Sequence, residues 1–160
     1  MNRSVSGVSR RGLLLGGLAL AGLPDRVALA EQPQAIHVAK GTGCECCSAW
    51  IAHLKENGFV VTEEELYGAL LIRFKLDHGV PPNMQSCHTG KVAGYVIEGH
   101  VPASDINRLL EEAPDAVGLA VPGMPYGSPG MGAEDSRDAY DVHLIKRDGT
   151  SVIFSSYAAA

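Results

Sequence analysis

Three of the four cysteines in this chain crowd into "GTGCECCSAW", as Cys44, Cys46 and Cys47. The fourth, Cys87, lies in "PPNMQSCHTG" beside Met84 and His88. Adjacent residues are about 3.8 Å apart at Cα, below the roughly 4.4–6.8 Å that a disulfide prefers, so Cys46–Cys47 is a poor bond. Cys44–Cys47 has the CxxC spacing of redox proteins, but pairing them leaves Cys46 and Cys87 to find each other or stay free. The other chemistry open to such a cluster is metal binding. Up to four thiolates at one spot repel strongly unless cations neutralise them. Soft thiolates select Cu(I), zinc or iron–sulfur clusters. Zinc usually comes with paired knuckles that chelate one tetrahedral ion, and iron–sulfur clusters with characteristic spacings; CxCC has neither pattern. Adjacent thiolates that diverge can instead bridge several Cu(I) ions of low coordination number. Copper is the cofactor or cargo this spacing favours, as more than one Cu(I).

The residues around Cys87 fit the same chemistry, since Met84 and His88 add a thioether and an imidazole. Met84 reads equally well as a filler of core gaps. Met124 in "VPGMP" and Met131 in "SPGMG" lie on a long loop, where they are candidate soft lids. His37 falls in a strand, and His53, His78, His100 and His143 are scattered, so they read as surface or structural histidines. "TEEEL" reads as a solvated strand end, because carboxylates suit harder ions.

Positioning these residues requires a fold. "AIHVA" alternates as a strand does, and "CCSAWIAHLKENG" then spaces Cys47, Trp50, Ile51 and Leu54 as a helix that stops at Gly58. A second strand, "FVVTEEEL", leads to a second amphipathic helix in "LYGALLIRFKLDHG". After the break at Pro81 and Pro82, "SCHTGKVAGYVIEGHVP" predicts two short strands around a turn. "PASDINRLLEEAP" predicts a third helix, with Pro102 near its start and Ala103 or Ser104 at its cap. "DAVGLAVPGMPYGSPGMGAEDSRDA" is too rich in Gly and Pro for a regular element, and "YDVHLIKRDGTSVIFSS" is a hairpin turning at Asp148-Gly149. The expected fold is therefore α/β. Its order, β-α-β-α-β-β-α, is that of thioredoxin and glutaredoxin, with an added Gly/Pro-rich loop and a C-terminal hairpin. In that arrangement the CxCC motif sits where the first helix begins, the reactive position.

The N-terminus sets the compartment. Arg10 and Arg11 precede an apolar run from Gly12 to Leu23, and Ala28-Leu29-Ala30 offers small residues for cleavage. This is a secretory signal, and Ser9-Arg10-Arg11-x-Leu13-Leu14 fits its twin-arginine version. As a helix the run would reach about 18 Å, short of the roughly 30 Å core of a bilayer. The expected organisation is a cleaved signal peptide over 1–30 and one metal-binding domain over 31–160. Cleavage lowers Lys+Arg from 13 to 9 and Asp+Glu from 18 to 17, taking the formal charge from −5 to −8. So acidic a protein does not suit nucleic acid, and it has no basic helix for anionic lipid, so no membrane contact is expected after cleavage.

With these residues in view, the chain resembles the CopG-type copper-resistance family, small exported metal-binding proteins long carried as a domain of unknown function. The similarity covers about residues 35–155. It rests on Cys44-x-Cys46-Cys47, "QSCHT" at 85–89, "GYVIEGHVPASDI" at 94–106 and "AVGLAVPGMPYGSPGM" at 116–131. It implies a thioredoxin-like fold, a periplasmic location and a copper site built from Cys44, Cys46, Cys47 and Cys87. It further implies a role in copper tolerance, interconverting Cu(I) and Cu(II), alongside other periplasmic copper-handling proteins. Two positions depart from the family pattern: Glu45 replaces a small residue and adds charge beside the thiols, and Gly132 stands where an acidic residue is common. The competing function is a thiol–disulfide oxidoreductase using Cys44 and Cys47, against which the extra thiols Cys46 and Cys87 would divert exchange.

Overall fold

A computed structural model describes residues 33–160, together with Met1. The expected signal peptide, with its twin-arginine pair, lies outside the described residues. Seven strands form one sheet in the order β2-β1-β3-β4-β5-β6-β7. Their ranges are β1 Ala35–Lys40, β2 Val60–Glu65, β3 His88–Val92, β4 Tyr95–Glu98, β5 Gly118–Ala120, β6 Tyr140–Ile145 and β7 Ser151–Tyr157. The helices are α1 Glu45–Glu56, α2 Ala69–Asp77 and α3 Ala103–Glu112. The pairs β1/β2 and β4/β5 are parallel and the others antiparallel. Mixed α/β architecture, the β-α-β-α-β-β-α order of the first seven strands and helices, and the closing hairpin are as the sequence predicts.

Alternation along the strands separates two faces. In β4, Ile97 joins the larger core cluster and Val96 the smaller one; Leu119 and Ala120 of β5 divide in the same way. The larger cluster takes Trp50, Ile51 and Leu54 from α1 and Ile106 and Leu109 from α3, so both helices cover one face. The other face carries Val80 and Met84 from the segment after α2. Helix α1 follows the predicted period, burying Cys47, Trp50, Ile51 and Leu54. It ends before Gly58, whose φ of +86° gives the chain its turn.

Three expectations need correction. Helix α2 is shorter than its apolar pattern predicts and is not amphipathic in the expected sense. Its one buried residue is Lys75, while Leu70, Ile72 and Leu76 are exposed. The physical reason is an ion pair, described below, that draws Lys75 inward. The Gly/Pro-rich stretch also contains a regular element, β5, inserted between β4 and β6. Gly118 makes that possible: a Cβ there would meet the Val96 carbonyl oxygen at 1.8 Å. Finally, the cap of α3 is Pro102, with no side-chain capping bond, and not Ala103 or Ser104.

Candidate metal centre

Two segments meet at one end of the sheet. Strand β1 runs out at Lys40, and Gly41–Gly43 turn the chain so that Cys44 caps α1 and Cys46 and Cys47 lie in its first turn. Lys40 is opposite His88 at the start of β3, which brings Cys87 to the same place. Ligand atoms of Cys44, Cys46, Cys47 and Cys87 all lie within 4.8 Å of one another. Cys46 Sγ is 3.5 Å from Cys44 Sγ and 3.8 Å from Cys87 Sγ. The four cysteines singled out from sequence thus form one group.

Within it, Cys44 and Cys47 are joined as a disulfide, and Cys46 and Cys87 are free thiols. A four-sulfur site of the kind expected from sequence requires the Cys44–Cys47 pair to be reduced, and that CxxC pair is the one joined here. Burial, followed by the neighbouring Cys46, pushes the Cys87 thiol up to about 12. Cys87 is accordingly protonated at neutral pH until something displaces that proton.

A second group shares Cys87. Its sulfur lies 3.2 Å from His88 Nδ1 and 3.2 Å from His100 Nε2, and the three residues' ligand atoms also fall within 4.8 Å. His100 Nδ1 is 2.9 Å from the Pro129 carbonyl oxygen, which can only accept. Nδ1 therefore carries the proton, and the Nε2 lone pair faces Cys87. His88 is fully buried, its ring tilted by 36° against that of Trp50 at 4.2 Å between centroids, and its Nε2 has no hydrogen-bond partner among the described residues. Burial lowers the pKa of both imidazoles, with His100 and Lys75 adding to the effect at His88. Both rings are neutral at neutral pH, the form that ligates metals.

Sequence reasoning placed His88 near the site and missed His100. The contact joins positions thirteen apart across the whole β3–β4 hairpin, which no local spacing reveals. The available signal was "GHVP", within residues 94–106 on which the resemblance rests. The other histidines are structural: His53 Nε2 accepts from the Ala103 N–H, and His78 lies between Lys91 Nζ and the Phe74 carbonyl. His37 contacts Thr62 and Glu64 at the surface, and His143 pairs with Ala120 within the sheet. Met84 packs with Val80, Val96, Ala120 and Ile145, the core role that its flexible thioether also suits.

The long loop closes over the α1 side. Ser86 Oγ donates to the Gly123 carbonyl and His100 to that of Pro129. Gly130 is packed so tightly on α1 that a Cβ would lie 2.6 Å from Trp50 N and 2.9 Å from Cys46 O. Met124, after Gly123, is exposed, and Met131, after Gly130, is half-buried.

These donors fit copper: clustered soft sulfurs suit Cu(I), and neutral imidazoles accept either oxidation state. A family model described as a protein of unknown function, DUF411, matches residues 84–131. No curated protein matches the chain. Among solved structures, the chain is similar to a copper resistance protein CopG in two forms. The first is 47% identical, with a TM-score of 0.74, covering 79% of this chain and 99% of the other. The second is 48% identical, with a TM-score of 0.72, covering 78% and 98%. Identity at that level, over almost the whole of the solved protein, places this chain in the CopG copper resistance family.

Proposed function

We propose that the protein is exported by the twin-arginine route and holds Cu(I) in the periplasm, as more than one ion, on Cys44, Cys46, Cys47 and Cys87. His88 and His100 supply the nitrogen donors, and copper tolerance is the purpose. The observation that carries this reading is the meeting of four sulfurs and two neutral imidazoles on one shared residue, Cys87. Met84, a core residue, is left out of the ligand set.

The Cys44–Cys47 pair supplies a balanced redox step. Two Cu(II) ions take one electron each from the reduced pair, giving two Cu(I), the disulfide and two protons, with Cys46 and Cys87 as the remaining free sulfurs; a dithiol reductant that reopens the pair restores the four-sulfur site for Cu(I). The sulfurs favour the lower oxidation state, and the imidazoles keep the upper one bound.

Anaerobic titration of the reduced domain against a Cu(I) chelator tests the binding. More than one equivalent should bind, and zinc at equal concentration should not compete. Saturation at one equivalent, or zinc winning, overturns the cluster reading. For export, Arg10→Lys with Arg11→Lys should leave the protein cytoplasmic; full secretion of the double variant would reassign the signal to the general route.

A thiol–disulfide oxidoreductase remains the second reading, favoured by one observation, the disulfide at the start of α1. Turnover of a dithiol substrate by copper-free protein, unaffected by Cys87→Ser, would establish it.

A further inference from the structure

Glu98 and Lys75 form a fully buried ion pair, with Lys75 Nζ 2.6 Å from Glu98 Oε1 and side-chain exposures of 3% and 0%. Such a pair is expensive to desolvate and is often replaceable by apolar residues without loss of stability. Here its cost is visible in α2, which leaves Leu70, Ile72 and Leu76 exposed while it directs Lys75 inward. What the pair holds identifies its use. Glu98 Oε1 also accepts the Ser86 N–H at 2.6 Å, and Oε2 accepts the Thr89 hydroxyl at 2.6 Å. Lys75 Nζ donates to the same Thr89 oxygen at 2.9 Å. Thr89 lies opposite Glu98 in the β3/β4 ladder. One carboxylate therefore fastens the main chain just before Cys87 and the side chain just after His88.

We propose that Glu98, held by Lys75, is a positioning residue for the metal centre: it clamps Ser86 and Thr89 so that Cys87 and His88 are presented together. This rests on the copper reading above. The clamp touches no proposed ligand side chain; it acts through the backbone of the segment that carries two of them. Residues that orient metal ligands in this way typically contribute about 10–100-fold to affinity.

The test uses Lys75→Met with Glu98→Gln, which removes both charges and leaves a side chain able to bond Ser86 and Thr89 imperfectly, and Lys75→Arg, which keeps the charge. Folding is followed by thermal unfolding and by Trp50 fluorescence. The double variant should fold, bind Cu(I) about 10–100-fold more weakly and shift its copper–thiolate absorption, with Lys75→Arg close to the parent. In copper-free protein, peptide-resolved alkylation of Cys87 should be several-fold faster in the double variant. A folded double variant with parental affinity, absorption and alkylation rate would reduce the pair to scaffolding. If the parent itself binds no copper, the copper reading fails, and the alkylation rates still decide the clamp. Should the double variant not fold, Thr89→Val, which removes one arm of the clamp, is measured by the same readouts with the same two outcomes.

Discussion

The two arms of the centre are built on opposite principles. The α1 arm places three sulfurs in one helical turn with no side-chain cap, and two of them are able to close into a disulfide. The β3 arm has one sulfur and an imidazole, with a second imidazole facing them, and almost every group is fixed by something behind it. Glu98 fastens Ser86 and Thr89, the Trp50 ring packs against His88, and the Pro129 carbonyl sets the tautomer of His100. One arm can change its covalent state while the other keeps its geometry. The disulfide is confined to the sulfurs of a single turn, so opening or closing it leaves in place the contacts that hold the β3 arm.

Cys87 is where the arms join, so its removal should have the largest effect. Cys87→Ser takes one sulfur from each group of ligands. It should lower Cu(I) stoichiometry at least as far as Cys47→Ser, and weaken the remaining sites by two orders of magnitude or more. Metal analysis after anaerobic loading of both variants checks this. Unaltered stoichiometry in Cys87→Ser would mean that the α1 arm holds copper alone.

How much of this was legible in the sequence follows the same division. Helix α1 could be read because Cys47, Trp50, Ile51 and Leu54 obey a local period, and the CxxC spacing itself marked the pair that forms the disulfide. The β3 arm is assembled by contacts between distant residues. Lys75 reaches Glu98 across 23 positions, and His100 reaches Cys87 across the β3–β4 hairpin. The sequence shows α2 rich in apolar residues, yet Leu70, Ile72 and Leu76 are exposed and the buried residue is the charged Lys75, which no hydrophobic pattern marks. Strand β5 escaped notice because its glycine, ordinarily a strand breaker, is there to let β4 approach.

His100→Ala should separate the oxidation states. The imidazoles matter most for Cu(II), so the variant should lose about 10–100-fold in Cu(II) affinity while Cu(I) affinity falls by less than about tenfold. EPR titration for Cu(II) beside chelator competition for Cu(I) measures the split. Equal losses in both would mean that the β3 arm does not discriminate between them.

The raised pKa of Cys87 fixes the sign of a pH effect. Below about 12 its thiol is protonated, so copper must displace a proton to bind there. Affinity therefore rises with pH, by about tenfold per unit for each proton displaced. The lowered pKa values of His88 and His100 mean that neither competes for protons near neutrality. Chelator competition between about pH 6 and about pH 8 should give at least one proton released per Cys87-bound ion, and the slope should fall by about one in Cys87→Ser. A flat profile in the parent would show that Cys87 stays out of the first coordination sphere.

The smallest effect is expected at Met84, and its smallness is the informative part. The residue is three positions from Cys87 and carries a soft sulfur, which made it a candidate ligand on sequence grounds. Its side chain instead packs against Val80, Val96, Ala120 and Ile145, on the opposite face of the sheet from Trp50 and α1. Met84→Leu conserves volume and apolar character and removes only the thioether. Swaps of that kind usually cost less than about 1.5 kcal/mol. The variant should unfold within a few degrees of the parent and bind the same number of Cu(I) ions with the same affinity. Chemical denaturation and the chelator titration together decide it. If stability holds while one equivalent of copper is lost, the thioether reaches the metal in a conformation other than this one, and the fixed geometry ascribed to the β3 arm would have to be given up.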